Sequence, residues 1–276
     1  MKSKLQRILK KKNRSKLVCL TSYSKNFSQI LDKYCDIVLV GDSLSNVLYG
    51  MKNTHEITLD MMIKHTISVR SGLKKSLCVI DMPLNSYSNI RVAKKNAKKA
   101  MKKSKCDAVK IESNNKNFSI IKALVKSNIP VMGHIGYTPQ FKKKFKVAGS
   151  SEIEEKKLIT EAKKIEEAGA FSIVLECVKK KVAKRITKTL KIPTIGIGSS
   201  LDCDGQILVT DDMLGLGCFK PKFIKQYINL NKIIEKGIQK YRREVINKKF
   251  PRDINSYWLW VVKKLKKVYL TILFLK

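Results

Sequence analysis

Acidic side chains are scarce in this chain: 22 Asp and Glu stand against 58 Lys and Arg in 276 residues, a formal charge of +36. Such a surplus ordinarily points to nucleic acid or an anionic membrane surface. The patterns that would carry that reading are missing, however. No zinc-finger, RNA-recognition or helix-turn-helix spacing occurs, and no aromatic residues interleave the basic runs, as KKNAKKAMKK at 94–103 shows. The lysines are spread over nearly every helix-like stretch, so the charge reads as compositional bias on solvated faces, with no specific nucleic-acid partner expected. It would still draw in an anionic substrate.

Paired cysteines are absent too. The seven cysteines (19, 35, 78, 106, 177, 203 and 218) include no CxxC, and several lie inside apolar runs. That usage argues against a disulfide framework or a zinc site and suits a reducing compartment. The basic start, MKSKLQRILKKKNRSK, lacks the apolar core and small-residue cleavage site of a secretory signal. No run is long enough for a spanning helix: even Val268–Leu275, near the C terminus, falls far short of the roughly 20 residues required. A cytoplasmic protein without a transmembrane segment is the expectation. The stretch WLWVVKKLKKVYLTILFLK from 258 leaves two readings open, a basic amphipathic helix on a membrane or subunit and an unconstrained extension.

Short apolar runs are plentiful. Those near 17–22, 36–41, 77–81, 108–112, 130–134, 171–176, 193–198 and 206–210 are bounded by Gly, Pro, Asn or Ser and read as buried parallel strands. Helical patterns separate them at 25–34, 58–71, 89–104, 115–127, 151–168 and 179–190, and another covers 222–247. In EEAGA at 166–170, Gly169 falls where a left-handed helix C-cap residue is expected, and a strand follows at once. With 43% hydrophobic residues, the pattern predicts an α/β protein, a (β/α)₈ barrel occupying 1–257 as one domain with an N-terminal helix, followed by a basic, apolar extension at 258–276.

Four acidic residues end four of these runs: Asp42 in DIVLVGDS, Asp81 in LCVIDMP, Glu112 in AVKIES and Glu176 in FSIVLECV. Carboxylates at the carboxyl ends of barrel strands gather at the mouth where barrel enzymes do their chemistry. Hard oxygen donors suit Mg²⁺, which keeps some waters and leaves room for substrate oxygens. Each residue taken singly reads equally well as a helix cap or a loop turn. His134, between Gly133 and Gly136, is open between a structural role and substrate contact, and His55 and His65 read as structural or surface residues.

The strings LTSYS at 20–24, VGDSL at 40–44, HTISVR at 65–70, DMP at 81–83, VKIES at 109–113, GHIGYTPQ at 133–140, LECV at 175–178, AKRIT at 183–187, IPTIGIGSS at 192–200 and DGQILV at 204–209 occur in that order. Together they closely resemble ketopantoate hydroxymethyltransferase, the family also called 3-methyl-2-oxobutanoate hydroxymethyltransferase. The resemblance is collinear from about Ser3 to Tyr257. It implies a barrel of the phosphoenolpyruvate mutase/isocitrate lyase type with one Mg²⁺ per subunit. The implied substrates are 3-methyl-2-oxobutanoate and, as one-carbon donor, 5,10-methylenetetrahydrofolate. Carried over by position, Asp42 and Asp81 match direct metal ligands that also lie against the keto acid, and Glu112 completes the sphere. Ser43 and Lys110 match residues that hold the keto acid, Glu176 matches the general base, and His134 lies in the matching polar wall. The resemblance also implies ring-shaped homo-oligomers, up to a decamer.

Some positions depart from the family pattern: Ser199 and Ser200 stand where a glycine-rich turn is usual, and FKVAGS at 145–150, MKNTHEITL at 51–59 and the 258–276 extension also differ. None removes a matching ligand or the base. Two other readings compete with hydroxymethyl transfer. A lyase or phosphonomutase would use the same barrel on another 2-oxo acid, but the CCH-type motif of many such lyases is absent. A charge-driven nucleic-acid or membrane binder would need a continuous basic face.

Overall fold

The computed structural model describes residues 2–142, 144–217 and 221–257; Cys218 and the 258–276 stretch lie outside the described residues. Strands β1 (Leu17–Thr21), β2 (Ile37–Val40), β3 (Leu77–Asp81), β4 (Ala108–Glu112), β5 (Val131–Gly136), β6 (Ser172–Glu176), β7 (Thr194–Ile197) and β8 (Gly205–Leu208) pair in sequence order and close on themselves, every pairing parallel. Helix α1 (Lys2–Lys10) precedes the barrel, and α2 (Lys25–Leu31), α3 (Leu44–Val47), α4 (Leu59–Gly72), α5 (Ile90–Ser104), α6 (Phe118–Val125), α7 (Glu152–Glu167), α8 (Lys180–Thr189) and α9 (Thr210–Leu214) run between and after the strands.

The period-two alternation of a strand sorts its side chains into two cores. Val38, Val40, Cys78, Ile80, Val109, Ile111, Ile135, Ile173 and Leu175 pack outward with the helices. Leu17, Cys19, Ile37, Leu39, Leu77, Val79, Ala108, Met132, Val174, Ile195 and Ile207 form a second cluster inside the barrel. Ile8 of α1, fully buried, belongs to that inner cluster, with Leu5 packed against it. The first helix therefore plugs the floor of the barrel, away from the carboxyl ends of the strands. The six described cysteines are free and buried, as their apolar setting predicts.

Polar caps set several helix starts: Thr58, Asn89 and Ser151 accept N–H bonds from Met61, Val92 and Glu154 in the first turns of α4, α5 and α7. Gly169, at φ +93°, makes the left-handed turn between α7 and β6 that only glycine adopts without strain. Most boundaries shift by one to three residues from the sequence expectation, as where the helix expected at 25–34 ends at Leu31 and the one expected at 115–127 covers Phe118–Val125. Strand β5 runs on to Gly136 because Ile135 and Gly136 pair with Leu175 and Glu176. The last strand stops at Leu208, and Thr210 opens α9. The expected helix at 222–247 is confined to α10 (Leu230–Ile246). Helices α3 and α9 span about one turn each, too short for apolar periodicity to register. The chain separates into two compact units, the barrel with residues through Met213 and Gly217–Lys225, and a second made of Leu214–Leu216 with the residues from Gln226 on, which holds α10. No helix among the described residues is long and apolar enough to cross a membrane.

Candidate active site

The inward-facing series of four adjacent strands turns from apolar to charged toward the carboxyl ends. Leu77 and Val79 lead to Asp81, Ala108 leads to Lys110 and Glu112, Met132 leads to His134, and Val174 leads to Glu176. Register then decides the neighbours. Asp81 stands opposite Lys110, Glu112 opposite His134, and Glu176 opposite Gly136. Asp42 and Ser43 arrive separately, just past β2, where the chain turns into α3. Asp42, Asp81, Lys110, Glu112 and His134 are all buried.

Lys110 Nζ donates to Asp81 Oδ2 at 2.7 Å, and the Asp42 backbone N–H reaches the same oxygen at 3.5 Å. Burial pushes the Asp81 carboxyl up to about 6, with Lys110 opposing and Asp42 adding to the rise. Asp42 is likewise pushed up to about 6, first by burial and then by the Glu112 carboxylate. Burial works against the Lys110 ammonium, but Asp81, Glu112 and Asp42 outweigh it and hold the lysine charged well above its usual range. Three carboxylates thus crowd around one ammonium.

His134 lies between two more carboxylate contacts. Its Nδ1 is 3.4 Å from Glu112 Oε1 and its Nε2 is 3.2 Å from Glu176 Oε2. Both approaches are of ion-pair length, yet neither has hydrogen-bond direction, and both ring nitrogens are buried without a hydrogen-bond partner. Burial and Lys110 disfavour the imidazolium; Glu112 and Glu176 outweigh them and push the ring up to about 9. Glu176 differs from the other carboxylates in reaching solvent, its side chain 20% exposed. It is the group at this mouth best placed to exchange a proton with a substrate or with water.

Ser43, half-buried, shares a 2.9 Å hydrogen bond with the Tyr23 hydroxyl. Sequence reasoning missed Gln140, although it lies in the GHIGYTPQ string. Its Nε2 donates to Asp42 Oδ2 at 2.8 Å and its backbone N–H to Glu112 Oε2 at 3.0 Å. Tyr87, also missed, donates its hydroxyl to Gln140 Oε1. A buried glutamine in a loop leaves no periodic signal in a sequence; only the fold brings it to the carboxylates. His55 and His65 make other contacts, His55 with the Pro139 carbonyl and His65 with the Tyr23 carbonyl.

The residues fit a divalent cation. Asp81 Oδ1 and Glu112 Oε1 are buried oxygens without hydrogen-bond partners, and leaving a charged acceptor dry and unpaired is costly unless a cation or donor meets it. Among the described residues no three His, Cys, Asp or Glu side chains converge closely enough to hold an ion between them. An ion here would be held by one or two carboxylates with water and substrate oxygens completing the sphere, the usual manner for Mg²⁺.

The chain matches the family model described as ketopantoate hydroxymethyltransferase over residues 2–253. It is 52% identical over 257 residues to the 3-methyl-2-oxobutanoate hydroxymethyltransferase of Pelagibacter ubique, covering 93% of this chain and 100% of that one. Its identity to the protein of the same name from Clostridium botulinum is 46% over 276 residues, 98% of this chain and 100% of the relative. Among solved structures, phosphonopyruvate hydrolase in complex with oxalate and Mg²⁺ superposes with a TM-score of 0.61 at 9% identity, over 96% of this chain and 97% of that one. A 2,3-dimethylmalate lyase of the phosphoenolpyruvate mutase/isocitrate lyase superfamily gives 0.58 at 12% identity, over 98% and 99% of the two chains. Identities this low speak for the fold alone, a closed eight-stranded barrel like those of these two structures.

Proposed function

The chain belongs to the ketopantoate hydroxymethyltransferase family, and from that premise we propose that it transfers a hydroxymethyl group from 5,10-methylenetetrahydrofolate to 3-methyl-2-oxobutanoate, giving ketopantoate. The observation that carries the site assignment is the pair of buried oxygens without a hydrogen bond, Asp81 Oδ1 and Glu112 Oε1, beside Asp42. In this reading Asp42 and Asp81 would hold Mg²⁺ directly, and Glu112 would complete its sphere through water. The cation, when bound, acts as a Lewis acid that stabilises charge on the keto oxygen as the neighbouring carbon loses its proton.

The chain's own residues do the rest. Lys110, kept charged by Asp81, places a positive donor beside the carboxylate and keto oxygens of the substrate. Glu176 takes the proton from C3, and its partial exposure leaves that proton a way out to water. His134, charged and set against Glu176 Oε2, aims that carboxylate. Ser43, steadied by Tyr23, meets the substrate carboxylate from the α3 side. C3 then bonds to the one-carbon unit as that carbon's two bonds to the folate nitrogens break. Water supplies the hydroxyl oxygen, the proton from C3 and the remaining proton of that water end on the two nitrogens, and tetrahydrofolate leaves. The same reading carries residues 1–257 as the catalytic domain with 258–276 appended to it, a ring-type homo-oligomer and a cytoplasmic location.

The test is ketopantoate formation from the two substrates with Mg²⁺ present and then chelated. Product that depends on the cation is the expected result. Undiminished product in chelator overturns the metal assignment. No product from folded protein, with both substrates verified, overturns the reaction.

A further inference from the structure

Gln140 is an uncharged side chain set among carboxylates, and all its polar atoms are committed. Nε2 donates to Asp42 Oδ2 at 2.8 Å and to the Met82 carbonyl at 3.1 Å. Oε1 accepts from the Tyr87 hydroxyl, and the backbone N–H donates to Glu112 Oε2 at 3.0 Å. Gln140 is 2% exposed and Tyr87 4%. One residue in the loop after β5 therefore ties together the segment after β2, the loop after β3 and the end of β4.

The amide has one workable orientation. Both groups facing Nε2, a carboxylate oxygen and a backbone carbonyl, are acceptors only. Turning the amide over would set Oε1 against both and leave them unpaired. The Tyr87 hydroxyl, donating to Oε1, holds the far end. The consequence falls on Asp42. It lies beyond the last residue of β2, outside the strand pairing that fixes Asp81 and Glu112, so its carboxylate depends on side-chain contacts for its position. By occupying Asp42 Oδ2 and Glu112 Oε2, Gln140 leaves the other oxygen of each carboxylate for a ligand, and Glu112 Oε1 is among the buried oxygens without a hydrogen bond.

We propose that Gln140, with its amide oriented by Tyr87, is a positioning residue for the reaction: it sets the spacing of Asp42 and Glu112 and thereby the affinity of the site for a divalent cation. The proposal rests on the metal site described above. Nothing in it requires Gln140 to touch substrate.

The test uses the full chain, with Mg²⁺ binding followed by titration calorimetry for the native protein, Gln140→Met, Tyr87→Phe and the double variant, and thermal unfolding in chelator as the measure of folding. Gln140→Met is expected to weaken Mg²⁺ binding about 10- to 100-fold, the range typical for partners that orient metal ligands. Tyr87→Phe, which keeps the ring, should weaken it roughly fivefold, the effect of one hydrogen bond. The double variant should bind no more weakly than Gln140→Met, since the two groups act in series. At saturating Mg²⁺ most of the lost turnover should return. Binding within twofold of native in every variant that folds overturns the proposal, and so do losses that simply add; Tyr87→Phe alone suffices if Gln140→Met does not fold. A native protein that binds no Mg²⁺ overturns the metal site itself, and with it this inference, whereas native binding with indifferent variants sinks this inference alone.

Discussion

Asp81 and Lys110 face each other across β3 and β4, and the ammonium donates to Asp81 Oδ2 at 2.7 Å with both side chains almost wholly out of solvent, 2% and 5% exposed. Removing one member of a buried ion pair leaves the other charge dry and uncompensated. Lys110→Met is therefore expected to lower the stability of the metal-free protein by about 3–5 kcal/mol. Urea unfolding in chelator measures it, and an unchanged midpoint would show that the pair contributes nothing. Because the lost charge is positive, Mg²⁺ should stabilise the variant more than it stabilises the native protein.

Glu176 is separated from the crowded carboxylates by His134, so its removal should affect proton transfer and leave cation binding alone. Glu176→Gln keeps the shape and removes the carboxylate proposed as the base. Turnover is expected to fall about 10²- to 10⁴-fold, with Mg²⁺ affinity unchanged. Exchange of the C3 hydrogen of 3-methyl-2-oxobutanoate with deuterated water, followed by NMR without the folate, should be lost in parallel. Exchange at the native rate would remove Glu176 from the role of base.

At the opposite end of the barrel, Asp204 supports the fold and touches nothing at the mouth. It accepts from Lys12 Nζ at 2.8 Å, from the Thr194 N–H at 2.9 Å and hydroxyl at 3.0 Å, and from the Asn13 N–H at 3.2 Å. Burial alone would raise its carboxyl, but Lys12 and the backbone donors win and hold it below the usual range. A carboxyl depressed in the folded state stabilises the protein above its unfolded pKa of about 3.9, and that contribution is lost as pH falls through the folded value. Asp204→Asn should therefore lower the unfolding free energy at pH 7 by about 2 kcal/mol, and the gap from the native protein should close below about pH 4. Activity of the folded variant should be unchanged. A gap that stays constant with pH would show that the charge is not what matters.

The strands were legible because buried parallel strands are written as short apolar runs with abrupt polar ends, and all eight expected runs overlap strands of the barrel. The charged residues that end those runs were legible for the same reason: on an inward-facing series, Asp81, Glu112 and Glu176 fall in register with the apolar residues before them. What register cannot convey is contact between loops. Gln140 and Tyr87 meet across 53 residues of sequence, and no local pattern encodes that encounter. The expected helix at 222–247 erred for a related reason. Its N-terminal part has apolar residues at helical spacing, but the cap that starts α10 is Asn229, whose side chain accepts from Lys232 N–H.

Gly136 offers a way to disturb Glu176 without touching its side chain. It ends β5 at φ +100°, directly opposite Glu176 in the register. A Cβ built there would lie 2.1 Å from the Glu176 carbonyl oxygen and 2.8 Å from Val178 Cγ2, so the β6 backbone would have to move. That carbonyl also accepts the Tyr137 N–H at 2.8 Å, so the shift would break a bond as well. Gly136→Ala should cost about 1–3 kcal/mol in backbone strain alone, and displacing Glu176 should lower turnover about 100-fold. Gly50 provides the comparison: its φ is +63°, yet nothing lies within 4 Å of its would-be Cβ. Gly50→Ala therefore tests the positive φ by itself, and it should lose stability without a comparable loss of turnover. Equal turnover in the two variants would mean that the β5–β6 contact does not govern the placement of Glu176.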